Sequence, residues 1–217
     1  MKMTYSPYVN ALKSASRIII HGAGGNTRTI IGILLKQGYS GKLFCIDKAI
    51  VPDETILGVT VVAFLDFNAT DIHLVSYGDL NIRTKKFNEL KNKGLNIGNC
   101  IADDTIIYNT QIFSALNNQI FNRTYIGPGS VIGNNNIINT GAIIEHEVTI
   151  LDNNHIAPGC VICGRVKIGS NVFAGANSVV RDKISICDNV TIGAGSVVIK
   201  DIYKPGVYVG NPVRKLS

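Results

Sequence analysis

The sequence predicts a two-part chain: an α/β unit over residues 1–95, then a parallel β-helix over residues 96–217. Two observations predict it. From residue 126 to residue 198, every sixth position is a small or branched aliphatic, and upstream of it short apolar runs alternate with helical stretches. The periodic series is Ile126, Ile132, Ile138, Ile144, Ile150, Ile156, Ile162, Ile168, Ala174, Val180, Ile186, Ile192 and Val198. A period of six fits neither an alternating strand nor an amphipathic helix. It is the mark of a parallel β-helix, in which each hexad supplies one short strand and one corner.

Taken in order, the first elements are a strand at Arg17–His21, a glycine turn from Gly22 to Asn26, and a helix from Thr27 to Gln37. Further strands follow at Lys42–Asp47, Thr60–Ala63 and Ile72–Ser76, with a helix over roughly Arg83–Lys93. This is the pattern of a small Rossmann-like βαβ unit. Its glycines permit a tight strand-to-helix turn, and the helix N-terminus offers unpaired N–H groups to an anion. Asp47 ends the second strand, where an acidic group commonly meets a ribose hydroxyl. The unit is too short for the two halves a dinucleotide needs, so a single nucleotide or nucleotide-sugar fits better than NAD.

In the second part, three hexads make one triangular coil. A second inward position follows each aliphatic by four residues: Ser130, Asn136, Ala142, Val148, Asn154, Cys160, Val166, Val172, Ser178, Ile184, Val190 and Ser196. Ile101, Ile107 and Phe113 form a degenerate entry, with a one-residue slip before Ile120. A solenoid buries its core by stacking and needs its ends covered, so the chain before residue 95 is a separate cap or domain.

Composition narrows the function. No apolar run approaches the ~18 residues of a membrane helix, and the first residues do not read as a signal peptide, which points to the cytoplasm and away from a membrane. Five cysteines without a disulfide spacing fit a reducing compartment. The pair Cys160 and Cys163 falls on hexad positions, where packing outweighs redox or zinc chemistry. The net charge of +6 is dispersed and not interleaved with aromatics, which argues against nucleic acid as a partner.

The four histidines are His21, His73, His146 and His155. His146 stands at a corner between Glu145 and Glu147. A carboxylate beside an imidazole increases its basicity and fixes its tautomer, which suits a general base. Gly164 lies one coil later, where its N–H could stabilise an oxyanion. His155, on a neighbouring edge, is a candidate cofactor contact, a second acid/base or surface decoration. Two histidines in the β-helix are too few for a three-histidine metal site, so no metal is expected.

These residues resemble the hexapeptide-repeat sugar acetyltransferases, the family of sialic acid O-acetyltransferases and of N-acetyltransferases for nucleotide-linked 4-amino-4,6-dideoxy sugars. The resemblance rests on Gly22-Ala-Gly24-Gly25-Asn26, Asn139-Thr140-Gly141, Ile144-Glu145-His146-Glu147, Asn154-His155, and the closing segment from Gly206 to Arg214. It implies a homotrimer of left-handed β-helices, with acetyl-CoA in the groove between neighbouring prisms and a C-terminal tail beside it. By the same resemblance, His146 is the catalytic base and Glu147 its partner. His155, Gly164, Ala176 and Ala194 contact acetyl-CoA. Gly24, Gly25, Asn26, Asp47, Lys48 and Gly78 contact the nucleotide-sugar, and Asn139 orients the sugar or the catalytic histidine.

Two departures bear on the sugar pocket. Asn26 stands where bacillosamine-pathway members carry a histidine, and Gly78-Asp79-Leu80-Asn81 replaces their shorter G-N-N. The leading expectation is N-acetylation of a UDP- or dTDP-linked 4-amino-4,6-dideoxyhexose. An O-acetyltransferase of sialic acid or a related sugar is the alternative, and a non-enzymatic scaffold with a nucleotide-sensing cap is the third reading.

Overall fold

The computed structural model describes residues 12–48, 53–108 and 114–216. The chain divides into two compact units, Met1–Asp103 and Asp104–Ser217. The first unit runs past residue 95 because the segment that follows is tied into it. His73 bridges to Ile97, and the Gln37 side-chain amide donates to the Ile101 carbonyl at 2.8 Å.

The first unit is built on strands β1 (Arg17–His21), β2 (Lys42–Ile46), β3 (Thr55–Ile56), β4 (Val59–Val62) and β5 (Ile72–Val75), in the order β3-β4-β2-β1-β5. All pairings are parallel except β3 with β4. β1 is an inner strand between β2 and β5, and its Ile18, Ile19 and Ile20 are fully buried, as befits a parallel strand covered on both faces. Helix α1 (Gly25–Lys36) buries Thr27, Ile30, Ile31, Ile33 and Leu34. Helix α2 (Leu80–Asn92) starts three residues before the sequence suggests, because the Asp79 carboxylate accepts from the Ile82 N–H at 2.9 Å and caps it. β3 is not legible in the sequence. It is a two-residue strand turned back by Leu57 and Gly58, both at positive φ (50° and 80°), and such a turn suits a tight hairpin.

The second unit is a β-helix of two-residue parallel strands on three faces. The first face carries Gln119–Ile120, Ile137–Ile138, His155–Ile156, Phe173–Ala174 and Val190–Ile192. The second face runs from Ile106–Ile107 through Tyr125–Ile126, Ile143–Ile144, Val161–Ile162 and Val179–Val180 to Val197–Val198. The third face holds Val131–Ile132, Thr149–Ile150, Lys167–Ile168 and Ser185–Ile186. All thirteen periodic aliphatics are buried, and so are all twelve residues of the second inward series. Phe113 lies outside the described residues.

Polar members of that inward series are buried without loss because they bond to the next coil. Asn118, one coil before Asn136, extends the series: its Oδ1 accepts from Asn136 N–H at 3.0 Å, Asn136 Oδ1 from Asn154 N–H at 2.7 Å, and Asn154 Oδ1 from Val172 N–H at 2.7 Å. A buried amide left unpaired would cost about 1–3 kcal/mol. Cys160 packs in the same core, its thiol donating to the Gly175 carbonyl at 2.9 Å, and both Cys160 and Cys163 are free thiols. The chain closes with a strand at Gly206–Val209 beside Val190–Ile192, followed by the antiparallel Arg214–Lys215.

The corners impose a backbone rule. Asn117, Asn135, Asn153, Asn171 and Asn189, spaced one coil apart, all have φ between 55° and 65°. Asparagine tolerates this left-handed conformation better than other side chains. Their amides also stack: Asn117 Nδ2 donates to Asn135 Oδ1 at 2.6 Å, and Asn135 Nδ2 to Asn153 Oδ1 at 2.8 Å. Among the described residues no helix is long and apolar enough to cross a membrane.

Candidate active site

His146 and Glu147 occupy the corner between the second and third faces. His146 lies two residues after the strand Ile143–Ile144, which fixes where its side chain leaves the prism. Its Nδ1 lies 3.0 Å from Glu147 Oε2, and the same oxygen forms an ion pair with Arg165 Nε at 3.0 Å. The imidazole, and after it the Arg165 guanidinium, holds the Glu147 carboxyl below the usual carboxylate range. An ionised carboxylate can only accept, so Nδ1 is the donor of this bond, and in the neutral ring the lone pair is on Nε2.

Gly164 lies one coil below. A Cβ built on it would stand 2.6 Å from His146 Nε2, so any side chain there would displace the ring from this position. The Gly164 carbonyl accepts from Lys183 N–H at 2.9 Å, and no bond from its own N–H occurs among the described residues. Glu145, on the other side of His146, accepts through its carbonyl from Ser130 Oγ at 2.6 Å.

The remaining β-helix candidates lie elsewhere. Asn139, Ala176 and Ala194 follow strands of the first face, on the corner between the first and second faces, and His155 begins a first-face strand itself. Asn139 meets His155, with Nδ2 to Nε2 at 3.3 Å, and its Oδ1 accepts from Thr140 N–H at 2.8 Å. The expectation that Asn139 orients the catalytic histidine thus finds it against the other histidine. His155 is buried and its ring meets Phe173 edge-on at 5.2 Å. Within one chain, the His146 group and the His155 group therefore sit on different corners of the prism.

In the first unit, the glycine turn is braced from below. Thr27 Oγ1 donates to the Gly22 carbonyl at 2.9 Å and lies 2.7 Å from Ser76 Oγ. Asp47 Oδ2 accepts from Ala23 N–H at 3.0 Å, which ties the end of β2 to the turn. Gly24 and Gly25 face open space at the start of α1, which has no side-chain cap. Asn26 and Gly78 come together, a Cβ on Gly78 reaching within 3.6 Å of Asn26 Nδ2.

A cavity of about 360 Å³ lies in this unit, lined among others by Asp47, Lys48, Phe64, Phe67, Tyr77 and Lys86. His21 lines it too, and sequence reasoning missed this residue. His21 Nε2 is 3.1 Å from His73 Nδ1, and both rings meet Phe67 edge-on. The register explains the pairing: His73 lies opposite Ile19 across the β1–β5 ladder, so its side chain shares the face of His21. Burial pushes the His21 imidazole down to about 3 and lowers His73 as well.

Residues 129–164 and 165–200 match the model of the bacterial transferase hexapeptide (six repeats) family. Among solved structures, the acetyltransferase domain of PglB from Neisseria gonorrhoeae FA1090 is 22% identical with a TM-score of 0.83, over 93% of this chain and 100% of that one. WeeI from Acinetobacter baumannii AYE is 20% identical with a TM-score of 0.81, over 92% and 99%. PerB from Caulobacter crescentus, solved with CoA and GDP-perosamine, is 23% identical with a TM-score of 0.78, over 92% and 97%. These likenesses establish a shared fold. Among curated proteins none matches the sequence.

Proposed function

We propose that the protein is an acetyl-CoA-dependent sugar N-acetyltransferase that acetylates the 4-amino group of a nucleotide-linked 4-amino-4,6-dideoxyhexose. The observation that carries this reading is the His146–Glu147 pair seated over Gly164, in which the carboxylate engages Nδ1 and Nε2 is the nitrogen left to act as a base. The shared fold supports it: the PglB domain has also been solved with acetyl coenzyme A, and PerB with CoA and a nucleotide-linked sugar.

In this mechanism the sugar amine attacks the thioester carbonyl of acetyl-CoA. His146 Nε2 takes the proton lost by the amine. The Gly164 N–H is the candidate donor to the oxyanion of the tetrahedral intermediate. As the intermediate collapses the C–S bond breaks, the amide forms, and the imidazolium returns its proton to the departing thiolate. The first unit, read as Rossmann-like, holds the nucleotide through Gly24, Gly25, Asn26, Asp47, Lys48 and Gly78. His155, Ala176 and Ala194, on and beside the other corner, hold acetyl-CoA, with Asn139 fixing His155.

Because the two groups of residues lie on different corners, a complete site calls for a neighbouring prism. The second face supplies an apolar surface for one: Ile106, Tyr125, Ile143, Val161, Val179 and Val197 lead its strands without a charge. A left-handed prism in a closed ring of three is the proposed assembly, and light scattering that gave a monomer mass for an active preparation would overturn it. The deciding assay for function offers acetyl-CoA and a thiol indicator with UDP-, dTDP- and GDP-linked amino sugars and with free sialic acids. Thiol release with a nucleotide-linked amino sugar is the expected result. Release with sialic acid alone would transfer the reading to O-acetylation.

A further inference from the structure

The corner that carries His146 breaks the backbone rule of the prism. At its left-handed position, successive coils place Gly129, Glu147, Arg165 and Lys183, with φ of 73°, 59°, 61° and 60°. At the corner before the first face the same position is asparagine in every coil from Asn117 to Asn189. At the third corner it is Gly141, Gly159, Asn177 and Gly195 after an initial Arg123. Long charged side chains gain nothing from this conformation and pay for it. Strain of this kind persists where the side chain has work to do.

Two of the three charged residues are in contact. Arg165 Nε and His146 Nδ1 lie at 3.0 Å from the same oxygen, Glu147 Oε2. All three side chains are about half exposed, so a lone Glu147 carboxylate would rotate among several rotamers. A guanidinium presents its donors in a rigid fork and restricts an acceptor better than a single point charge does. Gly164, which precedes Arg165, makes room for the imidazole from the same coil.

We propose that Arg165 is a positioning residue for this site: it anchors the Glu147 carboxylate against His146 Nδ1 and thereby keeps Nε2 as the proton-free nitrogen. The inference rests on the reading of His146 as the general base. It adds a residue, one coil away, on which the tautomer of that base depends. Arg165 acts through Glu147 and need not touch either substrate.

The test uses the full chain, 15N-labelled, with the His146 signal assigned by its loss in His146→Ala. Arg165→Asn is the informative variant, because asparagine is at home at this φ and the fold should be kept or strengthened; a thermal melt checks this. Wild type should show the Nδ1–H tautomer of His146. Arg165→Asn should shift the balance toward Nε2–H and lower kcat about tenfold, a fraction of the ~100- to 10,000-fold a general base contributes. Arg165→Lys should recover part of both. An unchanged His146 tautomer, or an unchanged kcat, in a folded Arg165→Asn would overturn the proposal. A shifted tautomer in a protein that acetylates nothing in the substrate panel would leave the positioning role standing and sink the acetyl-transfer reading instead.

Discussion

The imidazole of His146 occupies the space that a side chain at Gly164 would fill. A Cβ on Gly164 would lie 2.6 Å from His146 Nε2 and 2.7 Å from Cε1, distances that unbonded carbon and nitrogen atoms do not tolerate. The ring would have to swing away and lose its bond to Glu147. Gly164→Ala should therefore reduce kcat by about the amount that losing a general base costs, ~100-fold or more. The melting temperature should change little, since the imidazole that has to move is half exposed. Turnover close to wild type in Gly164→Ala would show that the ring's place over Gly164 does not matter.

His146→Ala should lower kcat by ~100- to 10,000-fold with little change in the KM for acetyl-CoA. Glu147→Ala should cost less, since it only orients the ring. His155→Ala should act mainly on the KM for acetyl-CoA. If His155→Ala abolished turnover while His146→Ala kept it, the two histidines would have exchanged roles.

Asp47 is already held by the Ala23 N–H through one oxygen. Its replacement should loosen the glycine turn as well as remove an acceptor. Asp47→Ala should raise the KM for the nucleotide-sugar far more than that for acetyl-CoA. Equal effects on both would place Asp47 outside the nucleotide site.

The His21–His73 pair should make the first unit acid-sensitive. Both imidazoles are held neutral by burial, His21 with a folded value near 3 against 6.5 for the free side chain. Below about pH 6.5 the unfolded chain binds protons that the folded one refuses. Stability is thus fully present above that pH and lost as the pH falls toward 3, by up to about 1.4 kcal/mol per pH unit for His21 alone. Thermal melts from pH 7 to pH 4 should show this slope, and His21→Phe should flatten it. A His21→Phe melt with the wild-type slope would assign the acid sensitivity to other groups.

The period of the sequence by itself determined the β-helix. Each coil repeats one geometry, so its apolar demand recurs at fixed spacing and Ile126 to Val198 could be placed inward without knowing any contact. The His146–Glu147 pair was legible for the same reason, since both residues lie in one hexad and next to each other. The left-handed asparagines from Asn117 to Asn189 recur one coil apart, a period that sequence reasoning missed. What only the tertiary structure decided are the relations that cross between coils and strands. Arg165 meets Glu147, and Asn139 meets His155, because the coil brings together residues separated in sequence. His21 meets His73 because the β1–β5 register puts both on one face of a sheet whose strand order the sequence does not state. Short-range periodic demands are written in the chain, whereas register and side-chain reach depend on how distant segments stack.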